Sequence, residues 1–306
     1  MDIEDLGKRV KNVEIISASR RTDIPAFYLY WFIKCIKQGY VDVPNPYNNS
    51  QISRISLDPK IVKCIAWWSK DYSKWLEYNK KHPEIFSQYC GHLFNFTLNS
   101  DSDLERGVKL NYVTRLKQLD ELVGTFGPHA INLRFDPIVF WKSSENPQGK
   151  TFNNLRDFKK IIGHAGKIGI NSVTFSFCIP YGKAKSNMLK RGKILVDLSL
   201  EDKYKILDVL LKIALDCNVE MQACCDSGLV GYNGKSGGVV GQGSCISKEK
   251  IQDILEGKAT LKDTKKDSGQ RKECTCVLSR DIGNYNQVCY HSCDYCYANP
   301  SAIIRV

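Results

Sequence analysis

The sequence predicts an α/β protein, a TIM-like (β/α) full or partial barrel, on three observations. Short β-rich runs recur through the first 225 residues, most of them followed by a loop and a segment of helical spacing, which is the rhythm of βα units. With 306 residues, 42% hydrophobic and 25% charged, the chain can bury a real core, which excludes disordered and fibrous classes. Polar side chains collect just after the runs, where a parallel βα barrel keeps its ligands.

The candidate strands are Glu14 to Ser17, Tyr40 to Val43, Val62 to Trp68, His92 to Leu98, Ala130 to Phe135, Ser172 to Phe177 and Val219 to Cys224. Between the first two, Thr22 and Asp23 can cap a helix, Pro25 suits its first turn, Tyr28, Phe32, Cys35 and Ile36 share one face, and Gly39 stops it. Tyr112, Leu116, Leu119 and Val123 make a second apolar stripe, and Leu207, Leu210, Leu211 and Ala214 a third; all three read as core packing. From Asp226 to Gly243 the chain carries seven glycines, which predicts a long loop or lid. Gly234-Lys235-Ser236 imitates the end of a phosphate-binding loop, but Leu229 stands where that motif needs glycine, so the nucleotide reading is rejected. The expected organisation is a βα barrel over 1–225 and a Gly/Cys-rich extension over 226–306, packed on the barrel as one structural unit.

The polar residues expected at the barrel mouth are Arg20, Arg21 and Asp23 after the first strand, Asn45 after the second, Ser69 and Lys70 after the third, and Arg134 and Asp136 at the fifth. Lys and Arg outnumber Asp and Glu by 44 to 33, a net charge of +11, which suits an anionic partner. Two dense runs, Lys183, Lys185, Lys190, Arg191 and Lys193, then Lys265, Lys266, Arg271 and Lys272, read either as solvated faces or as part of that attraction. No window approaches the roughly 20 apolar residues of a membrane span, and Met1 to Asp5 lack the character of a signal peptide. The expectation is a cytoplasmic protein with no membrane partner.

Cysteine says more than charge. Of 13 cysteines, nine lie between Cys217 and Cys296, and an odd total without a secretion signal points to thiolate chemistry or metal ligation rather than disulfides. Cys35, Cys64, Cys90 and Cys178 fall on apolar runs and read as core residues. Cys289, Cys293 and Cys296 form C-x3-C-x2-C with Tyr295 before the last thiol. Such a loop can hold three irons of a 4Fe-4S cluster and leave the fourth open to a ligand; a tetrahedral zinc site is the alternative. Cys224, Cys245, Cys274 and Cys276 could close a second four-sulfur site, an iron–sulfur cluster or zinc, with Cys225 competing for the place of Cys224. His291 reads as solvent-facing or supporting rather than ligating, and His82, His92, His129 and His164 form no metal spacing.

The C-x3-C-x2-C loop resembles the cluster loop of the radical S-adenosylmethionine enzymes over eight residues, and Cys293-Asp-Tyr-Cys-Tyr-Ala298 is similar to the corresponding text of the spore photoproduct lyases. More widely, Ile15 to Pro25, Val43-Pro-Asn-Pro-Tyr47, Arg134-Phe-Asp-Pro137, Cys274-Thr-Cys276, Ser279-Arg-Asp-Ile-Gly283 and Tyr297-Ala-Asn299 resemble the bacterial and archaeal family called domain of unknown function 1848. That resemblance implies a permuted barrel with the cluster loop at the C-terminus. The resemblance to the radical enzymes implies a reaction in which a reduced cluster cleaves S-adenosylmethionine and the 5′-deoxyadenosyl radical abstracts hydrogen from a substrate. Tyr295 would then pack near the cofactor's adenine. Asp23 would serve the amino group of the methionine moiety, and Arg20 or Arg21 its carboxylate, because a zwitterion needs a partner of each sign. The expected partners are a small-molecule or nucleic-acid substrate, anionic in either case, and a one-electron reductant such as flavodoxin or ferredoxin. Two competing readings are a non-catalytic zinc or iron–sulfur module that binds nucleic acid, and a barrel hydrolase whose metals are structural.

Overall fold

The computed structural model describes residues 10–45 and 48–298; Met1 to Asp5, Pro46, Tyr47 and Asn299, used above, lie outside them. The chain opens with β1 (Ile15–Ala18), turns through a π-helical segment (Ile24–Tyr28) into α1 (Leu29–Gln38), and makes a hairpin of β2 (Tyr40–Asn45) and β3 (Asn48–Ser56). Then come β4 (Cys64–Ser69), α2 (Ser73–Lys81), α3 (Pro83–Ser87), β5 (Gly91–Thr97), α4 (Tyr112–Phe126) and β6 (Ile131–Ile138). The middle adds β7 (Phe140–Ser143), β8 (Phe152–Asn153), α5 (Phe158–Lys167), β9 (Ser172–Phe177), α6 (Gly182–Lys190), β10 (Lys193–Leu195) and α7 (Leu200–Leu215). The last part supplies β11 (Glu220–Ala223), β12 (Gly241–Gln242), α8 (Lys248–Leu255) and β13 (Arg280–Asp281).

Eight strands form one parallel sheet in the order β12-β11-β9-β6-β5-β4-β1-β13. From β1 to β12 each strand lies beside its successor, and β13 returns to the free edge of β1. Strands buried on both faces read as near-continuous apolar runs, as Cys64 to Trp67 does and as Ile15 to Ala18 does apart from the buried Ser17. β12 and β13 form no ladder with each other among the described residues. The chain segments beside them do meet: Val277 N–H donates to Ile246 O at 3.0 Å, and Thr275 Oγ1 to Gly243 O at 3.0 Å. We call this junction the seam.

Two sequence expectations need correction. Tyr40 to Val43 is a strand but leaves the parallel sheet for the antiparallel hairpin with β3, because only alternate residues, Val41 and Val43, are buried. Asn45 goes with it, bonding Gln51 on the hairpin surface instead of reaching the mouth. The glycine-rich stretch is the long loop expected of it, pinned where Gly231 and Gly234 bond Val240 and Gly238, and at its end it delivers the two-residue β12. Residues 226–306 thus supply two strands of the sheet itself. Between those strands α8 passes under the N-terminal ends of the others: its Ile254 meets Gly91, where a Cβ would lie 2.7 Å from Ile254 Cγ2, and Lys250 Nζ donates to Ile131 O.

The first helix forms as its sequence dictates. Asp23 accepts from Ala26 N–H at 2.9 Å, and Gly39 ends α1 with φ of +82°. No helix among the described residues is long and apolar enough to cross a membrane.

Under α2, Trp67, Trp75, Phe86, Phe94 and Phe126 box in His92. Trp67 Nε1–H donates to His92 Nδ1 at 3.1 Å, so Nε2 carries the proton toward Phe86 O at 3.0 Å. Burial pushes this imidazole down to about 4. The unfolded chain takes up its proton near pH ~6.5 while the folded one refuses it, so stability falls as pH drops from ~6.5 toward 4, by up to about 3 kcal/mol. Urea denaturation at pH 7 and pH 4.5 should show that loss in the wild type and a smaller one in His92→Gln; equal losses would exclude His92 as its source.

Candidate functional site

The C-terminal ends of the parallel strands surround a cavity of about 280 Å³. Arg20, Arg21, Asp23, Arg134, Asp136 and Tyr295 all line it, together with Cys289, Cys293 and Cys296. The sequence therefore placed its nine primary candidates on one surface. Of the second cysteine set only Cys224 reaches the cavity; Cys245, Cys274 and Cys276 are buried behind its wall at the seam.

Asp23 joins the parallel sheet to the cysteine loop. Its carboxylate caps the first helix, accepts from Ser69 Oγ at 2.8 Å and Lys70 N–H at 3.0 Å, and receives Nε2–H of His291 at 2.7 Å. Its oxygens are thus engaged in structural bonds, and the helix-capping role is the one the structure displays. His291 is buried, not solvent-facing. The loop is held at further points. Gly107 N–H donates to His291 O at 2.9 Å, and a Cβ on Gly107 would fall 1.8 Å from Tyr290 O, so only glycine lets the two segments approach this closely. Asp294 sits buried against Lys193 Nζ at 2.9 Å, and Tyr28 OH donates to Val288 O at 2.8 Å. Lys193, read as part of a basic run, is therefore an internal ion-pair partner, whereas Lys183, Lys185, Lys190 and Arg191 are exposed.

At the start of the chain, Arg20 and Arg21 are ordered by Asp281 of β13. That carboxylate accepts from Ser17 Oγ at 3.1 Å, Ser19 Oγ at 2.6 Å and Arg20 N–H at 2.7 Å, and Arg21 Nη1 lies 4.0 Å away. A Cβ on Gly283 would meet Ser19 Oγ at 2.0 Å. The two sequence motifs at opposite ends of the chain are one structural unit, locked across the β1–β13 pair.

On the opposite wall Arg134 donates to Asp136 through Nη2 and to Cys245 Sγ through Nη1, and Ser176 Oγ donates to Asp136. Burial opposes the charge on both groups, but each partner overrides it: Arg134 is held far above its ordinary value by Cys245 and Asp136, and Asp136 below its own by Arg134. Arg20 and Arg134 also stand over the Trp68 ring, at 5.1 and 5.2 Å from its centroid.

Glu105 was not among the sequence candidates. It accepts from Tyr295 OH, from Lys70 Nζ at 2.8 Å and from Asn99 Nδ2 at 2.7 Å. Burial pushes its carboxyl up, yet Lys70 and Arg115 prevail and bring it down to about 2. Cys178, read as core, is instead half-buried one residue past β9, on the cavity wall.

Three cysteine thiols are the donor type that an iron–sulfur cluster takes. Cys289, Cys293 and Cys296 share the cavity wall and influence one another through space, and no thiol–thiol bond joins them among the described residues. Burial pushes Cys289 up to about 12 and raises Cys293 as well, so these thiols ionise readily only when a cation takes the proton's place. No three cysteine, histidine, aspartate or glutamate side chains among the described residues converge on one ion position.

A family model described as domain of unknown function (DUF1848) matches residues 15–298. The chain belongs to that family. A comparison with curated proteins gives no match. The match spans both the Ser17–Arg21 motif and the cysteine loop of this DUF1848 protein, the two segments that Asp281 and Asp23 bind together.

Removing one partner of a buried ion pair strands the other charge, at a cost of about 3–5 kcal/mol. Glu105→Leu in this DUF1848 protein should therefore lose about 3 kcal/mol in urea denaturation, and Lys70→Met with Glu105→Leu should recover at least half. A double variant as unstable as the sum of the singles would refute the coupling.

Proposed function

We propose that this protein is a radical S-adenosylmethionine-type enzyme acting on an anionic substrate, in a TIM-like barrel closed at the seam by irregular backbone. One observation carries the reading: the three cysteines of the C-x3-C-x2-C loop line the same cavity as the charged ends of β1 and β6. The consecutive strand order and the bonds across the seam support the barrel. A 4Fe-4S cluster on Cys289, Cys293 and Cys296 would bind S-adenosylmethionine at its open iron and supply the electron that splits it into methionine and a 5′-deoxyadenosyl radical.

The chain's own residues position and exclude. Asp23, Gly107 and Lys193 fix the loop backbone, so the thiols face the cavity without reorganising. Asp23 and Asp136 both line the cavity and are the two carboxylates that could partner the methionine amino group, each by exchanging one of its present hydrogen bonds. Arg21 remains the partner for the carboxylate, the other sign a zwitterion requires. Tyr295 offers its ring to the adenine while its hydroxyl is tied to Glu105.

The rim supports one class of substrate. Arg21 stands 5.6 Å from the Tyr285 ring, Arg271 donates to Tyr181 OH at 3.4 Å, and Tyr181 and Tyr297 pack at 5.4 Å. All three tyrosines are exposed. Guanidinium groups interleaved with exposed rings suit phosphates and bases together, so a nucleotide or nucleic acid is favoured over a simple phosphorylated metabolite. A flavodoxin or ferredoxin would supply the electron.

The test is anaerobic purification, reconstitution with iron and sulfide, and addition of dithionite and S-adenosylmethionine, with 5′-deoxyadenosine read by mass spectrometry. The wild type should form it and the Cys289→Ala, Cys293→Ala, Cys296→Ala variant should not. Iron-loaded wild-type protein that forms none, with or without nucleotides and single-stranded oligonucleotides, would overturn the assignment; zinc bound to these cysteines would favour the binding module.

A further inference from the structure

Behind the cavity wall lies a second thiol group that the proposed reaction does not use. Cys224 Sγ is 3.5 Å from Cys245 Sγ and 3.9 Å from Cys225 Sγ. Cys276 contacts Cys245 and Cys274, and Cys274 contacts Cys225. Five sulfurs from three chain segments therefore close a ring. The segments are the end of β11, the turn after β12 and the approach to β13, which are the strand ends that flank the seam.

We infer that the seam is a metal site: Cys224, Cys245, Cys274 and Cys276 bind one thiophilic divalent cation, zinc or iron, as a mononuclear four-thiolate centre that fastens the two ends of the parallel sheet. Spacing selects a single ion over a cluster. A tetrahedron of sulfurs about 2.3 Å from a central ion has edges of about 3.8 Å, and Cys224 and Cys245 stand 3.5 Å apart, near that value. A cubane spreads its thiolates around several irons instead. The sulfurs touch round a ring instead of converging on one ion position, so binding requires rotation about Cα–Cβ bonds, which moves sulfur between staggered positions while the backbone stays fixed.

The surroundings independently call for negative charge here. Arg134 Nη1 donates to Cys245 Sγ, and Arg20 lies against Cys276 with its Nη2 buried and unpartnered. Cys276 Sγ also accepts from Ile246 N–H at 3.3 Å, the kind of backbone bond that supports thiolate ligands. Neutral thiols are weak acceptors for such donors, whereas metal-bound thiolates are good ones. Cys225 packs beside Cys224 and Cys274 as the fifth sulfur, outside the tetrahedron.

This inference does not rest on the radical-enzyme reading, and its test separates the two. Zinc, iron and acid-labile sulfide per chain are measured on the full chain carrying Cys289→Ala, Cys293→Ala and Cys296→Ala, which leaves the seam untouched. About one equivalent of zinc or iron without sulfide is expected, and cobalt(II) exchanged into it should give tetrahedral d–d bands and thiolate charge transfer. Adding Cys245→Ser and Cys276→Ser should lower the metal content at least tenfold. A cavity-loop variant that binds no metal, or that carries iron with matching sulfide, overturns the inference whether or not the seam variant folds.

Discussion

Asp23 is buried, and the bonds it makes decide where the cysteine loop sits. A carboxylate out of water is tolerated only when its lone pairs are filled, and here the fillers come from three places in the chain: the first helix, the end of β4, and His291. Each donor is thereby positioned against the other two. The helix starts where it does because Asp23 caps it, Ser69 and Lys70 are oriented by the same oxygens, and the loop is drawn over the strand ends through His291. Were Asp23 to give up all these bonds to a ligand, the loop would lose its anchor to β1. The residue that looked most like a ligand partner in the sequence is also the fixed point around which ligand-facing residues are arranged.

The same logic explains how a loop at the far end of the chain arrives at the cavity. β13 is only two residues long, too short to be stable by its ladder alone. Asp281 compensates by binding Ser17, Ser19 and the Arg20 amide, so the strand is held largely through a side chain. Since β13 runs parallel to β1, the chain leaves it at the mouth, and the cysteine loop follows within a few residues.

Six of the seven expected strands were legible because the strands of a parallel sheet with both faces covered are rich in apolar and β-branched residues, a pattern read without partners. Tyr40 to Val43 misled because β propensity does not name the sheet. Its alternation of Val41 and Val43 with polar neighbours was the available sign that one face stays wet. β12 and β13 carry two residues each, below the length at which any period exists, so these two edge strands and the seam had no sequence signature. The cavity cysteines and arginines were legible because their residue types are costly anywhere else. Glu105 was not: it lies in a loop, and its value comes from Tyr295, 190 positions away. Cys178 was misplaced because apolar neighbours in sequence do not distinguish the inside of a strand from the residue just past its end.

The two thiol sets are electrostatically one problem. Arg134 holds Cys245 with one nitrogen and Asp136 with the other, and Arg20 lies between Cys276 and Asp281. Four thiolates on a divalent ion would carry a net charge of about −2, added to that of Asp136 and Asp281, which already face these two guanidinium groups. In a wall of low dielectric that charge would be felt in the cavity rather than dissipated in solvent. Loading the seam would therefore weaken the pull of Arg20 and Arg134 on an anion in the cavity, and neutral thiols would leave it stronger, without any cavity atom having to move.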